Sequence, residues 1–286
     1  MRRPTPKSLT LDLLSSLRGG SLPVAALVAA AELFGIRENA LRVAIARLLA
    51  AGRIARDERG RYRLGAAAEA VDRRVLGARR ADERTLPWQG GWWMVHAGRL
   101  PGARSLERRR RSQALRLLGF AALSPRIAVR PDNLRTTLLD LRDELRELGV
   151  EADALLVRAG EIDSDADARA RRLWPRTALA NAYRRILAEL AASEARLATL
   201  PEPAAMVESF LVGGRAIRQL ALDPLLPEPL APEARRRELA RAVRRYDRAG
   251  RRAWAGFMAR HGAPHVVAPA HGERTLGVPI DPGVAA

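Results

Sequence analysis

Residues 22–64 read LPVAALVAAAELFGIRENALRVAIARLLAAGRIARDERGRYRL, and no other stretch limits the fold of this chain as tightly. Two runs of helical length meet at Phe34-Gly35-Ile36, where the glycine suits a left-handed turn. The second run, from about Arg37 to Ala51, puts Ala40, Leu41, Ala44, Ile45, Leu48 and Leu49 on one side. Arg37, Asn39, Arg42, Val43, Ala46 and Arg47 fall on the opposite side or its margins. An earlier helix is expected from Ser8 to Leu17, with Leu9, Leu13, Leu14 and Leu17 at helical spacing and Gly19-Gly20 ending it. Gly52 stops the third helix. The segment 53–64 then alternates around a polar Asp-Glu-Arg-Gly turn, a β-hairpin pattern with Ile54, Tyr62 and Leu64 as core contacts. Three helices followed by a small basic hairpin predict a winged helix-turn-helix.

That pattern gives the arginines a purpose beyond solvation. A major groove admits one helix; arginine donates bidentately to guanine and asparagine pairs similarly with adenine. Arg37, Asn39, Arg42 and Arg47 are therefore the candidate base contacts, with Val43 and Ala46 small enough for close approach or for a thymine methyl. Arg56, Arg59 and Arg61 in the hairpin suit phosphates, which set register without carrying sequence information. The charge agrees in sign. The net charge is +18, distributed as +7 over residues 1–64, +6 over 65–160 and +5 over 161–286. Such a balance favours a polyanionic partner through counterion release. Lys7 is the only lysine, however, so arginine and alanine richness also fits a GC-rich genome, and the hairpin rather than the charge decides the reading.

Several classes drop out. There is no cysteine, which excludes a disulfide scaffold, a thiol nucleophile and thiolate-held metals. The longest apolar run, from Val24, ends at Glu32, too short for a bilayer, and Asp12 with its neighbouring serines interrupts any signal-peptide core. A cytoplasmic protein with no membrane partner is the expectation.

Beyond the hairpin, residues 65–87 read as a helical linker. Residues 88–160 open on WQGGWWMVHA, a strand in which Trp92, Met94 and His96 alternate with Trp93 and Val95. A helix from about Arg104 to Leu118, two short strands around Ser124-Pro125, an amphipathic helix from Leu134 to Leu148 and a strand at 154–159 follow. The order β-α-β-β-α-β predicts a ferredoxin-like middle domain, whose uncovered sheet face would serve for dimerisation. The tryptophans read as core or interface anchors, and the run Arg108–Arg111 as a solvated helix side. Residues 161–262 read as an all-α domain with proline-punctuated joints, and 263–286 as a flexible tail. The overall class is thus α+β multidomain, with the winged unit at 1–64. His261, His265 and His271 lack an accompanying carboxylate pattern, so no metal site is expected.

The chain to about residue 260 resembles the repressors of phenylacetic acid degradation, the PaaX-like regulators. Five ordered segments carry the resemblance: GIRENALRVAIARLLAAGRI, WQGGWWMV, LRLLGFAALSPRIAVRP, LWPRTALANAYRRIL and DPLLPEPLAP. It implies a dimeric repressor of double-stranded operator DNA, released by an aryl-acyl-CoA effector such as phenylacetyl-CoA, with no other cofactor. By position it makes Arg42 and Arg47 the leading DNA contacts. The chain departs from the family pattern at Gly213-Gly214, at Arg126 and Ala128, and after the DPLLP loop, where Glu233 and Ala234 follow directly. Two other readings stand beside this one. One is an effector-independent or non-specific DNA binder. The other is a nuclease built on the ferredoxin-like domain, which the sequence disfavours because its first strand ends at His96 with no acid until Glu107. No G-x-S-x-G motif is present either, so no catalytic residue is assigned.

Overall fold

A computed structural model describes residues 3–17, 20–57, 59–66, 68, 81–96 and 105–262. Helix α1 (Pro6–Ser16) begins at a capping box in which the Thr5 and Ser8 side chains satisfy each other's backbone N–H groups. Helix α2 (Val24–Leu33) and helix α3 (Glu38–Ala50) follow. Both close on the same device. Gly35 and Gly52 take φ of 69° and 62°. The next residues, Ile36 and Arg53, donate back to the carbonyls of Ala31 and Leu48 at 3.0 and 2.9 Å. These two turns aim α3 across α1 and α2 and lead the chain into the hairpin β1 (Ile54–Arg56) and β2 (Tyr62–Leu64), paired antiparallel with Ile54 opposite Leu64. Leu22 bridges to Tyr62 on the outer edge of β2.

The middle of the chain forms a four-stranded antiparallel sheet. Its elements are β3 (Trp92–His96), α4 (Ser105–Leu117), β4 (Ala121–Ala122), β5 (Ile127–Pro131), α5 (Leu138–Glu147) and β6 (Leu155–Ala159), in strand order β4-β5-β3-β6. Helix α5 starts later than its leucine spacing predicts, because Thr137 caps it by accepting from Asp140 N. The strand alternation of β3 sorts its tryptophans to opposite faces. Trp93 and Val95 meet Ala114, Leu118, Leu141 and Leu145 of the two helices. Trp92 faces the other way, into a core with Val129, Ala170, Leu226, Leu230 and Ala231, stacking on Trp174 at 6.1 Å and donating to Asp167 Oδ1 at 2.9 Å.

That second core corrects an expectation. The sheet face anticipated as open is covered around Trp92 and Val129 by this chain's own α6 (Ser164–Arg171), by Trp174 and by the loop after residue 222, while Leu155 and Val157 of β6 stay exposed on it.

Three long helices complete the fold: α7 (Arg176–Leu197), α8 (Glu202–Ala221) and α9 (Glu233–Arg260). Pro175 separates α6 from α7, and the second proline-rich joint, 223–232, carries a buried polar cluster. Asp223 accepts from the Tyr183 hydroxyl and from Leu225 N, and Arg236 lies 3.9 Å away. Burial pushes the Asp223 carboxyl up, opposed by Arg236, and pushes the Tyr183 hydroxyl up as well. Leu225 sits at φ 53°, a strained setting for a leucine, held by Asp223 and by an Asn133 Nδ2 donation of 2.7 Å to its carbonyl. At Gly213, one of the departures from the family pattern, a Cβ would meet the Tyr246 ring at 3.5 Å, an ordinary contact, so the packing of α8 on α9 does not require a glycine there.

The first and last regions share a core, although α7, α8 and α9 also pack one of their own around Tyr183, Leu190, Val212, Leu239 and Tyr246. Leu9, Leu14, Leu27, Leu41 and Ile45 share one apolar cluster with Met206, Trp254, Phe257 and Met258 of α8 and α9. Rings run through it from Phe34 to Phe210 (5.0 Å), then Trp254 (6.2 Å) and Phe257 (5.4 Å). The expected linker 65–87 lies mostly outside the described residues. Its end forms a short 3-10 turn at Ala81–Arg84 and a bridge from Thr85 to Leu134. The tail 263–286 also lies outside them.

Candidate nucleic-acid interface

Helix α3 buries Leu41, Ile45 and Leu48 against α1, α2 and β1. The residues between them in sequence but opposite in space, Asn39, Arg42, Val43, Ala46 and Arg47, are all exposed, as is Arg37 at the N-cap. Positions 39, 42, 43, 46 and 47 repeat at three and four residues, so they form one strip along the helix. Val43 is 45% exposed, an apolar side chain left in the middle of a polar strip. Ala40, assigned to the core by spacing, is exposed instead; the buried wedge is narrower than six residues.

Arg42 is held in place by its neighbour. Its Nε and Nη2 both lie 2.6 Å from Glu38 Oε1, one turn earlier, with both side chains about half exposed. Such an exposed i,i+4 pair contributes only about 0.3–0.5 kcal/mol, so it orients the guanidinium without preventing it from taking a stronger partner.

The hairpin tip is built by one carboxylate. Asp57 Oδ1 accepts from Arg61 N at 2.7 Å and Arg59 N at 3.1 Å, and Gly60 at φ 75° donates to Asp57 O at 3.0 Å. The Arg61 N–H holds the Asp57 carboxyl below its usual range. This scaffold leaves Arg56 and Arg59 exposed at the tip.

Arg61 is placed differently from its expected role. Its Nε donates to Ser21 Oγ at 3.0 Å, and its Nη2 to Ser21 O at 2.8 Å and Gly262 O at 3.0 Å. The guanidinium is therefore a tie between the hairpin, the segment before α2 and the end of α9. Arg63, exposed on β2, was not singled out by sequence; it stands opposite Ala55 on the outer face of the hairpin. Its position in the alternation, out of phase with Tyr62 and Leu64, was the available signal.

Comparison with known proteins bears on the same segments. The family described as PaaX-like protein matches residues 5–68, which hold α1, α2, α3 and the hairpin. The family described as PaaX-like protein C-terminal domain matches residues 174–257. Together they span more than half of the chain. The chain belongs to the PaaX-like family. Among solved structures, the uncharacterized protein Rv0674 from Mycobacterium tuberculosis is 28% identical with a TM-score of 0.58; the match covers 86% of this chain and 97% of that one. No curated protein matches. The two PaaX-like matches flank the four-stranded sheet and correspond to the two regions that share the Leu41–Trp254 core.

No helix among the described residues is long and apolar enough to cross a membrane. Among the same residues no group of three His, Asp or Glu side chains could hold a metal ion. His261 packs its ring on Phe257 at 4.4 Å, and His265 and His271 lie outside the described residues.

Proposed function

We propose that this chain is a transcriptional regulator of the PaaX-like kind, a dimeric repressor that binds operator DNA and is released by an aryl-acyl-CoA such as phenylacetyl-CoA. The family membership supports regulation over catalysis. The observation that carries the DNA-binding reading is the uncovered strip of Asn39, Arg42, Val43, Ala46 and Arg47 on a helix whose other side buries Leu41, Ile45 and Leu48. In this reading α1, α2, α3 and the hairpin are a winged helix-turn-helix, with α3 in the major groove and Arg56, Arg59 and Arg63 toward phosphates. The strand order β4-β5-β3-β6, with both helices on one face, supports a ferredoxin-like centre.

Selection of bound fragments from sheared genomic DNA, followed by titration with phenylacetyl-CoA, tests the reading. The expected result is a recurrent motif with two half-sites, released by the thioester. Equal retention of all fragments would favour a non-specific binder instead. Cleavage of the fragments in divalent metal would favour a nuclease.

A further inference from the structure

Residues 3–6 read Arg-Pro-Thr-Pro, and the chain is stiff there. The capping box of Thr5 and Ser8 fixes the entry to α1, and Pro6 opens the helix. Pro4 locks its own φ and confines the residue before it to extended backbone. Arg3 therefore stands two residues from the capped Thr5. Its guanidinium lies on the turn that leads into α3: Arg3 Nη1 is 3.6 Å from where a Cβ on Gly35 would stand. That turn has two sides. Phe34 points inward, to Phe210 and the core that also holds Leu41 and Ile45. Gly35 and Arg37 are exposed, and so is Arg3, which makes no hydrogen bond or ion pair among the described residues. The guanidinium thus sits on the outer side of the turn, away from the core that backs α3, where the exposed strip of that helix begins.

We propose that Arg3 is a DNA phosphate contact that closes the reader at the end opposite the hairpin. The proposal rests on the reading of α3 as the helix in the major groove and deepens it. From Asn39 to Arg47 the strip is about 12 Å long, and the Gly35 Cα stands within about 7 Å of that of Arg37. The hairpin leaves from the other end of α3, beyond Gly52, and shows Arg56 and Arg59 at its tip. A major groove is about 12 Å wide between its two backbones. Cations beyond both ends of a strip of that length reach phosphates on either wall, which sets the register of α3 without reading a base. Arg3 suits this work because its place is set before binding: a side chain on a stiff, capped segment loses less freedom on contact than one on a loose end. With no internal acceptor to leave, its guanidinium fork is open to bidentate donation to one phosphate.

The test uses the full-length protein and duplexes enriched by it from a random library. Ethylation of single phosphates maps the ones that binding needs. For the wild-type chain, ethylation of the phosphate facing Arg3 should weaken binding; in Arg3→Gln that penalty should vanish while the others persist. Arg59→Gln should erase a penalty on the opposite wall of the same major groove. Anisotropy titrations between about 50 and 200 mM salt should show the slope of log affinity against log salt lowered by about 0.9 per protomer in Arg3→Gln, equivalent to about 3.5-fold across that range. Base preference and melting temperature should match the wild type, and Arg3→Lys, which keeps the charge, should keep the slope. A wild-type slope and ethylation map in Arg3→Gln overturns the proposal while leaving α3 as the reader, and so does loss of the same phosphate in both glutamine variants. Failure of the wild-type chain to enrich any duplex overturns both readings.

Discussion

Replacing Arg61 with alanine separates two physical roles that sequence alone could not tell apart. If Arg61 were a phosphate contact, its loss would reduce the salt slope of DNA binding by about 0.9 and leave stability almost unchanged. In the structure its guanidinium makes three donations, to Ser21 Oγ, Ser21 O and Gly262 O, at 2.8–3.0 Å. A hydrogen bond to a charged group contributes about 1.5–3 kcal/mol when buried. The site is half exposed, so water replaces part of that, and the three together are worth about 1–3 kcal/mol. For a unit of this size that corresponds to a fall in Tm of roughly 3–8 °C. Thermal melting of Arg61→Ala should show that fall, and anisotropy titrations across salt should show a slope equal to the wild type's. Arg59→Ala, at the exposed tip, should give the opposite pair of results. A variant at 61 that melts with the wild type yet loses one unit of slope would refute the assignment of Arg61 as a tie.

Three further perturbations have defined outcomes. Arg42→Ala and Arg47→Ala should each relax base preference at one position of the bound site by about 1–3 kcal/mol, read by competition with single-substituted duplexes; unchanged preference in both removes α3 as the reader. Trp254→Ala should destabilise the fold by about 3–5 kcal/mol, since the ring is buried and its Nε1 donates to Met206 O at 3.1 Å; a melting curve with a wild-type midpoint contradicts the shared core. Asp12 is an exposed residue of α1, yet neighbouring protein takes water from its carboxyl and pushes it up to about 6 against the pull of Arg218. A raised folded pKa favours the protonated chain, so wild-type stability should decline as pH rises from about 4 to 6. Asp12→Asn should remove that decline, and parallel pH profiles for the two proteins would exclude the crowding.

The elements of the first 64 residues were legible because each is set by local chemistry. Gly35 and Gly52 mark left-handed turns, the Asp57–Gly60 stretch marks a hairpin tip, and the period of Leu41, Ile45 and Leu48 marks a buried wedge. The same holds for β3, where alternation alone separates Trp92 from Trp93. Periodicity identifies a buried side but not what buries it. The apolar side of α9 was evident, yet nothing local indicated that its last turns would complete the core behind α3. The second face of the sheet was likewise apolar in sequence, and its covering by α6 and the 223–232 loop depends on contacts across tens of residues.

Arginine shows the same limit in sharper form. Arg61, Arg236 and Arg241 are identical letters in basic surroundings, but one ties three segments, one is buried beside Asp223 and one stands in solvent. Their roles differ because a guanidinium takes whichever acceptors the folded chain brings within reach, and for Arg61 and Arg236 these include the carbonyls of Ser21, Gly262 and Leu226, which leave no mark on the sequence. The density of positive charge in such a chain therefore overstates its capacity for phosphate. Only arginines that are exposed and held by nothing stronger than an exposed ion pair remain available to a duplex, and in the proposed reader those include the α3 strip and the hairpin tip, with Arg61 withdrawn from their number.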